Sequence, residues 1–215
     1  MKDLVFCGCT SIGACNHHCH VTEETIDVLF GPDTILSIKS YLGVPPCYAA
    51  KQTILIQSLE EESETIRVRI VGPTRSFDQV EIMKSDISKL KVAPPVRESG
   101  DIKESPGFKM IGPKGKVIRD KGLIIAVPHL HLADDESKRL KIEDGDHLCI
   151  KTISDYWLED IIVRVNRFSP VRQMANKLVN EVHIDKDTAI GMNLPIYSAA
   201  HIYMDSTDWL ERRMI

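Results

Sequence analysis

Apolar and polar positions alternate with a period of two along much of this chain. The segments "TIRVRIVG" (65–72), "QVEIM" (79–83), "GLIIAV" (122–127), "HLCIKTI" (147–153) and "DIIVRVNRF" (160–168) are rich in β-branched residues and bounded by Gly, Pro or Asp. That pattern predicts short strands whose alternate side chains face opposite sides. The residues ahead of His17 read as a further strand. Helical periodicity appears in two short places. In "TEETIDVLFG" (22–31), Thr22 offers an N-cap and Glu23 and Glu24 suit the positive helix end. Ile26, Leu29 and Phe30 there form an apolar stripe that Gly31-Pro32 stops. "DDESKRL" (134–140) is the second short helix. Region 91–121, rich in Pro, Gly and Lys, reads as turns between short strands. Many short strands with brief helices predict a mainly β fold with short α-helices, built as barrels or sandwiches rather than a wound parallel sheet. Neither a GxGxxG nor a P-loop pattern occurs.

The pattern repeats itself. "HCHVTEE" (18–24) is echoed by "HLHLADD" (129–135), "VRI" (68–70) by "VRV" (163–165), and "QVEI" (79–82) by "EVHI" (181–184), in the same order. A diverged internal duplication explains the shared order and the acidic helix start after each His-x-His. Residues i and i+2 of a strand share a face, so each His-x-His presents two imidazoles together, half of a zinc site with Zn–N distances of about 2.0–2.1 Å. The echo aligns Glu81 with His183 and so supplies a third ligand to each: His18, His20 and Glu81 form one set, and His129, His131 and His183 the other. Three protein ligands leave a fourth position open, the mark of a catalytic rather than a structural zinc.

Composition narrows the field. The 215 residues suffice for one large or two small domains with cores that need no staples. A net charge of −4 without a basic block argues against nucleic acid as a partner. No apolar run approaches the ~20 residues of a membrane span, and no signal peptide is read at the N-terminus, so a cytoplasmic chain without a membrane partner is expected. Six cysteines in a reducing compartment are thiols or ligands rather than disulfides. Cys7, Cys9, Cys15 and Cys19 with His20 are a rival structural zinc set, but their spacing lacks the two-residue gaps of a zinc knuckle. Cys19 alternates with His18 and His20 and so faces the core. "RVRIVGPTRSFDQVEI" places Arg67, Arg69 and Arg75 around a Gly72-Pro73 turn, six residues before Glu81 in the case of Arg75. A guanidinium there suits a bidentate phosphate or carboxylate contact.

Taken together, "NHHCHVTEETIDVLFG", "AAKQTILI" (49–56), "VRIVGPTRSFDQVEI" (68–82), "APPVRESGD" (93–101), "GLIIAVPHLHL" (122–132), "DGDHLCI" (144–150) and "EVHIDKD" (181–187) resemble the PduL-type phosphate acyltransferases, also called phosphate propanoyltransferases. Members of that family move an acyl group between coenzyme A and inorganic phosphate. The resemblance covers roughly residues 5–190. It implies two zinc ions on the six ligands already chosen and coenzyme A as a substrate. Arg75 becomes the phosphate-binding arginine and Arg69, with Asn16, a substrate contact, while Gln79, Ser99 and Arg164 fall near the active site. It also implies two small β-barrels: a central domain over 17–126, and a second over 127–215 completed by strand 1–16. Small-molecule substrates and a homo-oligomer are the expected partners.

The chain departs from the family pattern at His17 and Pro128, where arginines are usual, at Cys15 for serine, at Glu62 for lysine and at Ile190 for asparagine. It carries extra sequence, "NRFSPVRQMANKLVN", between "VRV" and "EVHID". The amphipathic N-terminal extension of encapsulated members is not read here, which favours a free form. Two other readings stand beside the transferase: a two-zinc hydrolase, against which Thr22 and Ala133 stand where HxHxDH-type acids are needed, and a non-catalytic metal-binding relative.

Overall fold

The computed structural model describes residues 3–42, 46–166, 180–195 and 198–213. Among these the strands are β1 (Leu4–Cys15), β2 (His18–His20), β3 (Ile38–Tyr41), β4 (Tyr48–Ser58), β5 (Ile66–Gly72), β6 (Gln79–Glu81), β7 (Val96–Arg97), β8 (Phe108–Ile111), β9 (Lys116–Arg119), β10 (Leu123–Ala126), β11 (His129–Ala133), β12 (His147–Thr152), β13 (Trp157–Asn166), β14 (Glu181–Asp185) and β15 (Ala199–Asp205). The helices are short: α1 (Glu23–Phe30), α2 (Ile87–Leu90), α3 (Asp134–Leu140), α4 (Lys186–Gly191) and α5 (Ser206–Glu211). The strand expected at 160–168 begins earlier and ends at Asn166; Arg167, Phe168 and nearly all of the extra sequence lie outside the described residues. No helix among them is long and apolar enough to cross a membrane.

The fold is mainly β, with two barrel-like domains. The chain divides into one compact unit formed by Met1–Cys15 with Val127–Ile215 and another formed by Asn16–Ala126. The first is a closed six-stranded barrel in the order β1-β14-β11-β13-β12-β15, sealed because β15 pairs with both β1 and β12. The second is a curled half-barrel, β7-β10-β6-β2-β5-β4-β8-β9 with β3 added to β4. It stays open because β7 and β9 end the sheet without pairing to each other.

Alternation decides which side chains reach the sites. In the barrel, Leu130 and Leu132 of β11 and Val182 and Ile184 of β14 pack inward with Ile12, Ile150, Val163 and Ile202. That turns His129, His131, Glu181 and His183 to the outer face. In the half-barrel, Cys19 joins a core with Val68, Ile70, Val80, Phe108 and Met110, which sends His18 and His20 to the other side. Helix α1 begins as its sequence reads: the Thr22 side chain accepts from the Thr25 N–H, and Ile26 and Leu29 are buried on the sheet. Burying each such aliphatic side chain stabilises the fold by about 1.5–3 kcal/mol, so a slip of one residue in β2 or β11 is strongly opposed.

Candidate functional sites

Strand β2 lies antiparallel to β6, with His18 opposite Glu81 and His20 opposite Gln79. The His18 Nδ1–H donates to the Asn16 carbonyl at 2.9 Å and the His20 Nδ1–H to the Val71 carbonyl at 3.2 Å. A carbonyl only accepts, so these contacts fix the tautomers and aim both Nε2 atoms at the Glu81 carboxylate. His18 Nε2 is 3.4 Å from Glu81 Oε2, and His20 Nε2 is 3.9 Å from Oε1. Burial, with the neighbouring His18 and Arg75 adding to it, pushes the pKa of His20 down to about 3 against the opposing pull of Glu81 and Val71. The ring is therefore neutral at physiological pH, as ligation requires.

The barrel repeats this arrangement. Strand β11 lies antiparallel to β14 with His129 opposite His183 and His131 opposite Glu181. The His129 Nδ1–H donates to the Val127 carbonyl at 2.8 Å, two residues back, as in His18. The Nε2 atoms of His129 and His131 are 3.0 Å apart, and the His131 and His183 ring centres 4.7 Å apart. Burial disfavours the imidazolium of His183, yet the Cys15 and Glu181 side chains outweigh it and push its pKa up to about 10, so ligation of a metal by this ring would release a proton.

In each cluster three donor atoms lie within 4.8 Å of one another. Two ligands at about 2.0–2.1 Å on a tetrahedron sit roughly 3.3 Å apart. The observed spacings and the donor types, imidazole nitrogen and carboxylate oxygen, therefore fit zinc. The cysteines build no comparable cluster among the described residues. None of the six is in a disulfide, and burial raises the pKa of Cys19 well above the usual thiol range.

A hydrogen-bonded run leads away from the first cluster. Gln79 Nε2 donates to Glu81 Oε1 at 2.7 Å and to Ser99 Oγ at 3.0 Å, and Arg75 Nη1 donates to the same Ser99 oxygen at 3.1 Å. The Gly100 N–H donates to Gln79 Oε1 at 2.7 Å, which locks the amide. Arg75, Ser99, Gln79, Glu81, His18 and His20 thus meet within one unit. Burial lowers the pKa of Arg75, opposed by Glu81 and Cys47, and the guanidinium stays charged.

Other residues singled out in the sequence take different places. Asn16 is exposed and offers its backbone carbonyl to His18. Arg69, in register with His18, donates to the Ala50 and Lys51 carbonyls. Arg164 lies in register with His131 in the barrel. His17, in the place of an arginine, pairs with Asp86 at 2.9 Å. Sequence reading missed Asp78, whose buried carboxylate accepts from the Thr22 N–H, the Thr25 hydroxyl and Arg119 at 2.6–2.8 Å. The Arg75 N–H bonds the Val21 carbonyl at 2.9 Å, so the 73–78 loop is tied at two points to the Val21–Thr22 link between β2 and α1. Nothing in local periodicity marks Asp78, because its partners come from α1 and β9.

A profile of the phosphate propanoyltransferase family matches residues 11–195. Curated relatives include the phosphate propanoyltransferase of Thermotoga maritima, 34% identical over 83% of this chain and 81% of its own length. That of Priestia megaterium is 39% identical over 80% and 75%, and that of Citrobacter rodentium 34% over 83% and 80%. A match of this extent, with both clusters inside it, shows that the chain belongs to the phosphate propanoyltransferase family of acyltransferases.

Proposed function

We propose that this chain is a phosphate acyltransferase that moves a short acyl group, propanoyl or acetyl, between coenzyme A and inorganic phosphate, with zinc held by His18, His20 and Glu81 and by His129, His131 and His183. The observation that carries the reading is the run Arg75–Ser99–Gln79–Glu81, which couples an anion-binding guanidinium to a three-donor cluster. Bound zinc with an open position supplies Lewis-acid polarisation of an oxygen and lowers the pKa of a coordinated thiol.

From the thioester side, a phosphate oxygen attacks the acyl carbon. The C–O bond forms, the C–S bond breaks, and sulfur leaves with the electron pair as a thiolate. In reverse, the thiolate attacks the acyl phosphate and phosphate departs. Arg75 serves both directions: its forked donors orient the phosphate for attack and offset the charge it carries on leaving. Ser99 accepts from Arg75 and Gln79, so its own hydroxyl proton is available to a phosphate oxygen. Gln79 holds the Glu81 carboxylate in its ligating orientation. His20, neutral at working pH, presents a lone pair rather than a proton. Arg69 is the coenzyme-side contact, Asn16 a further substrate contact, and Arg164 supplies a second guanidinium beside His131. Six cysteines outside any disulfide support a reducing, cytoplasmic setting.

The test is incubation of metal-loaded protein with acetyl-CoA or propanoyl-CoA and phosphate. Acyl phosphate and free coenzyme A should appear in equal amounts. Thioester hydrolysis independent of phosphate would make the protein a two-zinc hydrolase, and absence of turnover a metal-binding relative without catalysis; either result overturns the transferase.

A further inference from the structure

We propose that Glu181 is a positioning residue of the barrel's cluster: its carboxylate holds the His183 ring in its ligating orientation, and Gly13 is a glycine because it must make room for that carboxylate. The inference rests on reading His129, His131 and His183 as a metal site.

Glu181 is 7% exposed, and its Oε2 lies 3.3 Å from His183 Nε2. The two residues are i and i+2 on β14 and so share its outer face. A metal-ligating histidine commonly gives its second ring N–H to a carboxylate, which fixes the ring and raises its basicity. The Cys15 side chain also bonds the His183 ring, so Glu181 is one of two groups that hold it.

The half-barrel shows the same device with the chemistry exchanged. Gln79 stands opposite His20 as Glu181 stands opposite His131, and each bonds the third ligand two residues on. Where that ligand is the carboxylate of Glu81, which accepts, the residue behind it is an amide that donates. Where it is the imidazole of His183, which donates, the residue behind it is a carboxylate that accepts. The exchange of Gln for Glu follows the exchange of Glu for His, as support of a ligand requires and as unrelated surface residues would not.

Gly13 supplies independent support. It pairs with His183 across β1 and β14. A Cβ placed on it would lie 2.4 Å from Glu181 Oε1 and 2.7 Å from Cδ. Gly13 is not among the residues with positive φ, so space rather than backbone conformation requires glycine here. Gly13→Ala therefore displaces the carboxylate while keeping it in the chain.

The experiment is zinc titration of the full chain against a chromophoric chelator, with cobalt(II) absorption as a reporter of ligand geometry. The unaltered chain should bind two equivalents and His129→Ala one. Glu181→Ala and Gly13→Ala, with unchanged far-UV circular dichroism, should hold one ion on the order of 10–100-fold more weakly and alter the cobalt spectrum. Glu181→Gln keeps an acceptor oxygen without the charge and should fall between, and together with Gly13→Ala it carries the test if Glu181→Ala fails to fold. Unchanged affinity for both ions in folded Gly13→Ala and Glu181 variants would overturn the proposal and leave the metal site standing. Equal zinc uptake by the unaltered chain and His129→Ala would overturn the metal site, and this proposal with it.

Discussion

The side-chain amide of Gln79 donates to Glu81 at 2.7 Å while its nitrogen also reaches Ser99 at 3.0 Å, so one group joins the His18–His20–Glu81 cluster to the hydroxyl that Arg75 contacts. Replacing Gln79 by Ala should loosen both sides. Zinc affinity of that cluster is expected to fall on the order of 10–100-fold, and KM for phosphate to rise with it. Calorimetric zinc titration and initial-rate kinetics check the two effects separately.

Arg75→Ala removes the guanidinium without touching a ligand. Acyl transfer should fall by about 10²–10³-fold, the usual effect of deleting one donor aimed at developing charge. Zinc content should stay that of the parent. Arg75→Lys restores charge but not the fork and should recover only part of the rate. Unchanged phosphate dependence in Arg75→Ala would remove it from the site.

His18→Ala and His131→Ala should each fold, lose one equivalent of metal and lose acyl transfer. Chelator-treated protein should lose the activity and regain it on zinc addition. Acyl transfer at the parent rate by metal-free protein, checked by elemental analysis of the assayed sample, would contradict the two-zinc mechanism.

Asp78 carries structural weight beside the site. Asp78→Ala strands two donors of the α1 start and the Arg119 guanidinium. Breaking a buried, hydrogen-bonded ion pair costs about 3–5 kcal/mol, and partly exposed Arg119 places this case at the lower end. Thermal midpoint is expected to fall by roughly 6–12 °C for a chain of this length.

Stability should also depend on pH through Asp86. Burial opposes its ionisation, but hydrogen bonds from His17 and the Met83 N–H outweigh that and hold its carboxyl below the ordinary value of about 3.9. The folded state thus favours the charged form. The contribution is full above the unfolded pKa and is lost as pH falls through the folded one. Asp86→Asn should cost about 1–3 kcal/mol at pH 7. Its urea midpoint should begin to approach that of the parent only below about pH 4 and meet it once pH falls below the folded pKa of Asp86.

Much of this was legible in one dimension. Thr22, Ile26, Leu29 and Gly31 mark helix α1 because capping and a 3.6-residue stripe are local requirements. His18-Cys19-His20 and His129-Leu130-His131 declare a two-faced strand because pleating forces neighbours apart. The echo of "QVEI" in "EVHI" pointed to Glu81 and His183, which stand opposite His18 and His129 in equivalent registers. The meeting of Arg75 with Ser99, 24 residues away, rested on family likeness, since no periodicity links a turn to a distant loop.

The sequence by itself therefore determined several of the strands, the face that the histidines of each His-x-His take and which residue stands opposite each His-x-His, because these follow from dihedral periodicity and from a repeated pattern. Only the tertiary structure decided that one sheet closes through β15 while the other stays open. It alone tied the 73–78 loop down through Asp78 and fitted the Glu181 carboxylate over Gly13. Those outcomes depend on which distant strands lie side by side and how much room remains between them, and no local pattern encodes either.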